Sequence, residues 1–262
     1  MRTVVKIAGY GARDLLRSRW LLAYAGFFAV ASFTLLRFSD GETKALLSLV
    51  NVVLLIVPLA SVIFGTMYLY AAREFVELLL AQPIRRRQLF AGLFAGLSLP
   101  TVLAVVTGLL APMVIMGVSR SGLAIAGWLA FVAAVLSIAF TAIAAAVAYF
   151  VDDRVRGLAA ALGIWLLLAV VYDAAVLMAA VQLSDYPLER PLLAAMFANP
   201  IDLSRLLLLQ QFDTAALLGY TGALFQRFLA GAAGGIVAVS ALAAWIVLPT
   251  LAGARLFQRK DF

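Results

Sequence analysis

Apolar residues in this chain come in long blocks rather than in alternation with polar ones. Six blocks stand out: Trp20–Leu36, Leu46–Ala72, Gln88–Val118, Gly122–Val151, Gly157–Leu183 and Phe228–Ala254. About 20 apolar residues carry a helix across the hydrocarbon core, whereas barrel strands are about half that length and alternate in polarity. Backbone in lipid must satisfy its own hydrogen bonds, so continuous runs of this length are helices. The pattern predicts an all-α polytopic membrane protein with six transmembrane helices, folded as one domain over residues 1–262. Pro58, Pro100, Pro112 and Pro249 fall inside the predicted spans, where a missing backbone donor favours a kink.

The polar stretches between the blocks have patterns of their own. Before the first span, Arg2, Lys6, Arg13 and Arg17 fall in a sector of about 60° on a helical wheel, with Val4, Ile7, Gly11 and Leu15 roughly opposite. This predicts an amphipathic helix suited to the inner membrane surface. The basic start and the lack of a small-residue cleavage site make the first block a retained span, not a signal peptide.

Between the second and third spans lies REFVELLLAQPIRRRQLF. Arg73 to Gln82 have helical spacing, with Glu74 and Glu77 on one face. Pro83 ends the helix, because the residue before proline avoids helical geometry. Arg85, Arg86 and Arg87 then open the third span. A short helix continuous with two long spans transfers a push to both of them, which a loose polar turn would not.

The segment from Ser184 to Arg227 is the longest connection. Within it Asn199 reads as a helix N-cap, Pro200 as the first helical residue, and Asp202 as an acid in the first turn. Leu203, Leu206, Leu207 and Gln210 follow on one face, and Arg205 lies among them. Too short to span, this helix is expected to lie flat at the outer face, its leucines covered by a membrane surface or a partner's groove. Asp213 and Thr214 can cap a further turn, ended by Gly219. Gly92-x-x-x-Gly96 and Gly231-x-x-x-Gly235 permit close helix approach, but in a chain with 19 glycines they carry little weight.

Charge sets the orientation. Only 13% of residues are charged, mean hydropathy is +1.07, and the net charge is +7. Fourteen of the twenty Lys and Arg fall on one side of the predicted topology: the N-terminus, the Arg73–Arg87 connection, Arg154 and Arg156, and the C-terminus. The positive-inside rule places that side, with both termini, in the cytoplasm of a bacterial or archaeal cell membrane. The basic residues are therefore topology signals, not a nucleic-acid surface.

Composition also limits the chemistry. There is no cysteine and no histidine, which removes thiolate and imidazole metal sites and the catalysis that uses them. Asp173 is the one acid inside a predicted span, about 24 Å of helix rise from Gly157. An unpaired charge at that depth is costly, so it faces a partner, water or a central cavity. One aspartate is poor material for a membrane enzyme, and a secondary transporter would carry more intramembrane charge. Met113, Met116, Met178 and Met196 lie toward the outer side, where thioethers could meet Cu(I), but methionine is also an ordinary filler of apolar helices. No Gly-x-x-x-x-Gly-Lys-Ser/Thr phosphate loop occurs, so ATP, if it drives this chain, is hydrolysed by another polypeptide.

A helix, proline and arginine element between spans two and three of a six-span chain resembles the permease subunits of ABC-2 type ABC transporters. ARDLLRSRWLL near the start, GIWLLLAVVYDAAVL in span five, NPIDLSRLLLL in the outer segment and RLFQRKDF at the end are similar to the NosY-type permease that serves nitrous oxide reductase maturation. Those relatives carry an acidic run ending in glycines before the short helix, where this chain has AAREFVELLL. The resemblance implies a non-catalytic permease domain over residues 1–262. Its coupling helix would present Arg73, Glu74, Glu77, Gln82, Pro83, Arg85, Arg86 and Arg87 to a cytoplasmic ATPase subunit that holds ATP and Mg. It further implies a second copy of the chain and a periplasmic partner that handles copper, docked on Asn199, Pro200, Asp202, Leu203, Arg205 and Leu207. The alternative is an ABC-2 exporter permease for a lipid, a peptide or a drug.

Overall fold

The computed structural model describes residues 2–182, 189–212 and 232–260. The helix expected from Asp213 to Gly219, Ser184 and Arg227 lie outside the described residues. The elements are α1 (Arg2–Leu16), α2 (Arg19–Phe38), α3 (Glu42–Ala71), α4 (Arg73–Leu80), α5 (Arg86–Ile115) and α6 (Arg120–Phe150). There follow α7 (Arg154–Leu166), a π-turn (Leu167–Val171), α8 (Tyr172–Gln182), α9 (Glu189–Phe197), α10 (Pro200–Leu209), a 3₁₀ turn (Gln210–Phe212) and α11 (Ala232–Arg259). No strand occurs among the described residues. Among the described residues, six helical units are long and apolar enough to cross a membrane: α2, α3, α5, α6, the continuous α7–α8 unit and α11. The all-α, six-span expectation holds. α3, α5 and α11 run through their prolines. The last span extends to Arg259, five residues beyond the Ala254 read from hydropathy, because a helix in lipid continues until its carbonyls reach other partners.

Helix α6 is the axis of the bundle, packing on α3, α5, α7, α10 and α11. Its buried positions are mostly small, among them Ala126, Ala130, Ala133, Ala144 and Ala148. Small residues are what draw helices together where lipid competes equally for apolar surface. Midway along the bundle Ser61 of α3 donates to Ser137 of α6 at 3.1 Å, and Ser137 donates to Thr101 of α5 at 3.4 Å. These hydroxyls pin the three most covered spans together. The α7–α8 unit is the least covered, with only 6% of its most apolar window buried against 67% for α6.

Helix α1 packs against α5, and the stretch with little weight in the sequence makes this possible. A Cβ at Gly92 would sit 2.8 Å from the Ile7 side chain, and one at Gly96 would sit 3.1 Å from the Ala8 carbonyl oxygen. The Gly92–Gly96 pair is thus the groove that receives α1. Ile7 is buried there, Gly11 and Leu15 are half-buried, and Lys6, Arg13 and Arg17 point outward.

Helix α10 does not lie on the surface of the bundle. Asn199 reaches the carbonyl of Leu168, fourteen residues along the 29-residue α7–α8 unit, and Trp245, near the middle of α11, donates to the carbonyl of Phe197. The junction of α9 and α10 lies at about half the depth of the bundle. There Leu203, Leu206 and Leu207 pack with Ala238 and Leu242 of α11 and with Val135, midway along α6. The expectation that a membrane surface or a partner's groove covers these leucines is corrected: the chain's own spans cover them.

Candidate coupling site

The end of the bundle that carries α1 and α4 is fastened by arginines. Ala72 alone separates α3 from α4, so the two helices meet in a tight corner without a side-chain cap. Arg73, the first residue of α4, donates to the carbonyls of Asp152 (2.7 Å), Val151 (3.2 Å) and Ala148 (3.3 Å). Those carbonyls belong to the end of α6 and its turn into α7, where the helical ladder runs out of donors. The same guanidinium stacks over the Tyr70 ring at 4.5 Å, and the Tyr70 hydroxyl donates to Val151 at 2.9 Å. Gly157, at the start of α7, leaves the room that Tyr70 fills.

The C-terminus closes the clasp. Arg86 donates to the carbonyls of Gln258 (3.0 Å) and Lys260 (2.7 Å), and Arg87 donates to the Gln258 side chain at 3.3 Å. Lys260 in turn pairs with Asp152 at 2.7 Å and donates to the Tyr149 carbonyl at 3.3 Å. Its hydrogen bond and charge hold the Asp152 carboxyl below the ordinary carboxylate range. Four elements, α4, the start of α5, the α6–α7 turn and the end of α11, are therefore tied into one unit. Beneath them Phe90, Tyr149 and Phe257 form a buried aromatic cluster.

Of the eight residues expected to couple, the structure divides the roles. Arg73 and Arg86 are engaged with the chain's own carbonyls, and Arg87 with Gln258. Glu74, Glu77, Gln82, Pro83 and Arg85 are exposed. The helix itself ends at Leu80, two residues short of Gln82, with Ala81 and Gln82 in a closing turn. It buries one residue, Val76, against the aromatic cluster and turns Glu74, Phe75, Glu77 and Leu78 outward. Phe75 and Leu78 complete this face and were missed, because in an apolar chain an exposed Phe or Leu looks like any other. The clasp partners Asp152, Gln258 and Lys260 were missed too; they lie 75 or more residues away in sequence and no local pattern marks them.

A second polar cluster surrounds α10. Asn199 caps the helix as expected, its side-chain oxygen accepting from the Ile201 amide at 3.0 Å, and Pro200 occupies the first position. The Asn199 amide donates to the Leu168 carbonyl at 2.7 Å and to Asp202 at 2.9 Å. Leu168 lies in the π-turn, where the wider ladder leaves a carbonyl open to an outside donor. Arg205 bridges Asp173 at 2.9 Å and Asp202 at 3.2 Å. Asp173 is therefore paired within its own chain, on the wall of a cavity of about 250 Å³ shared with Tyr172, Met196 and Leu177. Asn199, Leu203 and Leu207 are buried, so the face expected to dock a periplasmic protein is largely internal. The methionines do not assemble. Met113 is in the main core, Met196 packs beside the α10 leucines, and Met178 is exposed.

Six apolar spans among the described residues, a short corner helix between the second and third, and short helices between the fifth and sixth define a polytopic helical membrane protein. The chain belongs to the ABC-2 family transporter proteins, whose family profile matches residues 5–262. It is 28% identical to the probable ABC transporter permease protein NosY of Pseudomonas aeruginosa, over 98% of this chain and 96% of the relative. It is 29% identical to the protein of the same name in Stutzerimonas stutzeri, over 81% of this chain and 83% of the relative. As an ABC-2 permease the chain is a multi-pass membrane subunit of an ABC transporter, and that class implies an ATPase partner and a dimer.

Proposed function

We propose that this chain is the membrane subunit of an ABC transporter in which a separate cytoplasmic ATPase, holding ATP and Mg, pushes on the outward face of α4. The work supports maturation of a periplasmic copper enzyme of the nitrous oxide reductase type, a reading supported by the similarity to two NosY permeases along most of the chain. The observation that carries the coupling role is the asymmetry of α4. One side is bolted to the α6–α7 turn through Arg73 and packs Val76 into the aromatic cluster of α5, α6 and α11, whose ends the arginines of α5 tie together. The other side presents Glu74, Phe75, Glu77 and Leu78, and neither carboxylate has an ion-pair partner among the described residues. A force on that face reaches α3, α5, α6 and α11 together. Replacing Glu74 and Glu77 by arginine tests it. The complex should insert and assemble, and permease-stimulated ATPase activity should fall by an order of magnitude or more; unchanged stimulation rejects the role.

A second copy of the chain fits the bare face of α7–α8. The Asp173–Arg205 pair is about one-third exposed on that side. Charge facing lipid is costly, so protein or trapped water covers it. Copper, in this reading, is handled by a periplasmic partner on the exposed outer rim, not by residues of this chain and not on the buried leucines of α10. A mass measurement of the solubilised complex showing one copy of the chain would reject the pairing.

A further inference from the structure

One cavity has no part in the coupling mechanism. It measures about 660 Å³ and lies between the α1–α2 turn, the α4-proximal end of α3 and the start of α7. Its α3 wall runs from Ala71 to Ile63, about 12 Å further into the membrane, through Met67 and Phe64. Trp20 and Leu15 form the facing apolar wall. Trp20 is 76% exposed and Met67 is 38% exposed, so the cavity opens sideways toward the bilayer.

Its polar end has a different character. Arg17, in the turn after α1, and Arg154, the first residue of α7, both line it. Both guanidiniums are exposed, and among the described residues neither has a side-chain hydrogen-bond or ion-pair partner. Among the described residues Asp14 is the one acid in the lining, and the two arginines outnumber it by one. A soluble anion would use the arginines and leave the apolar wall bare; a neutral hydrocarbon would do the reverse. The lining calls for a ligand with an anionic head and a long apolar body.

We propose that this cavity binds an anionic phospholipid of the adjoining leaflet. Its phosphate sits between Arg17 and Arg154, and one acyl chain lies along Met67, Phe64 and Ile63. Guanidinium is matched to phosphate by its forked donors, and basic pockets between spans are general sites for acidic headgroups. The volume is that of an ordinary ligand site. A neighbouring cavity of about 380 Å³ shares Asp14, Tyr68 and Ala71 and reaches Phe75 of α4. The lipid's own cavity stops at Ala71, short of α4, and a lipid there braces the α1–α2 turn against α3 and the start of α7. That the leaflet is the inner one rests on the cytoplasmic placement of α4; the binding itself does not.

The test uses the delipidated permease–ATPase complex in detergent, with bound lipid read by native mass spectrometry. Phosphatidylglycerol, phosphatidylcholine and glycerol phosphate are titrated separately. Phosphatidylglycerol should bind more tightly than phosphatidylcholine. The Arg17→Gln, Arg154→Gln double variant should lose about thirtyfold in phosphatidylglycerol affinity, the effect of two arginines at a lipid surface. Met67→Trp, which fills the groove without touching charge, should weaken both lipids, and an unchanged thermal unfolding temperature shows that the fold is intact. Wild-type phosphatidylglycerol binding by the double variant overturns the site. Glycerol phosphate competing as well as the lipid also overturns it, by assigning the arginines to a free phosphate. Because binding is read in detergent, a failure of the topology leaves these outcomes unaffected.

Discussion

Helices α4 and α10 look alike in sequence. They are 8 and 10 residues long, each has an acid in its first turn, each is rich in leucine, and a proline starts α10 and lies three residues past the end of α4. Their fates are opposite. Helix α4 buries Val76 and leaves its acids to solvent, whereas α10 buries eight of its ten residues, Asp202 among them. The difference lies in what answers the charge. Asp202 receives Asn199 and Arg205, so the helix can sink into the bundle without an unpaired carboxylate. Glu74 and Glu77 have no such partners among the described residues, and they keep the face of α4 outward and open to another protein.

The contrast breaks most sharply at the leucines. Leu203→Glu places an unpaired carboxylate in a fully covered site and should cost on the order of 3–5 kcal/mol, seen as a large drop in thermal unfolding temperature in detergent. Leu78→Glu on exposed α4 should move the same measurement by no more than about 0.5 kcal/mol. Equal effects at the two positions would mean that α10 is not sunk in the bundle.

Next in size is the loss of Arg205. Arg205→Ala leaves Asp173 and Asp202 facing each other without a cation and should destabilise by about 2–3 kcal/mol, less than a fully buried pair because Arg205 and Asp173 are one-third exposed. Adding Asp173→Asn should recover part of that loss, because the charge left uncompensated is then smaller. No recovery would mean that the pair is not where the energy lies.

Smaller still is the clasp. Arg73→Ala removes three bonds to carbonyls and should cost about 1–2 kcal/mol, while loosening α4 from the α6–α7 turn. The smallest effect is one of pH. Lys260 lowers Asp152 from its ordinary value of 3.8, so the pair contributes whatever it is worth above that value and loses it as pH falls through the depressed one. Asp152→Asn should flatten the acid limb of the unfolding temperature profile and leave the neutral region nearly unchanged.

Hydropathy made the spans legible, since length and continuity are all a bilayer requires, and both short helices were visible from Pro83 and from Asn199-Pro200. Depth was not legible. The leucines of α10 say that something apolar must cover them, and only the packing of Val135, Ala238 and Leu242 says that it is this chain. The π-turn that opens the Leu168 carbonyl has no mark in LLAVV, and the Gly92–Gly96 groove is indistinguishable by pattern from a chance pair. Half of the clasp comes from Gln258 and Lys260, at and just past the end of α11, which a local reading of residues 73–90 cannot reach.

The most direct test of the coupling account uses the absence of native cysteine, which makes any introduced thiol a single reporter. Leu78→Cys and Leu207→Cys variants are labelled with a maleimide, first as the permease alone and then as the complex with its ATPase. The thiol at position 78 should react quickly in the permease alone and be protected in the complex, and the thiol at position 207 should react slowly in both. Equal reactivity at position 78 with and without the ATPase would contradict the coupling account.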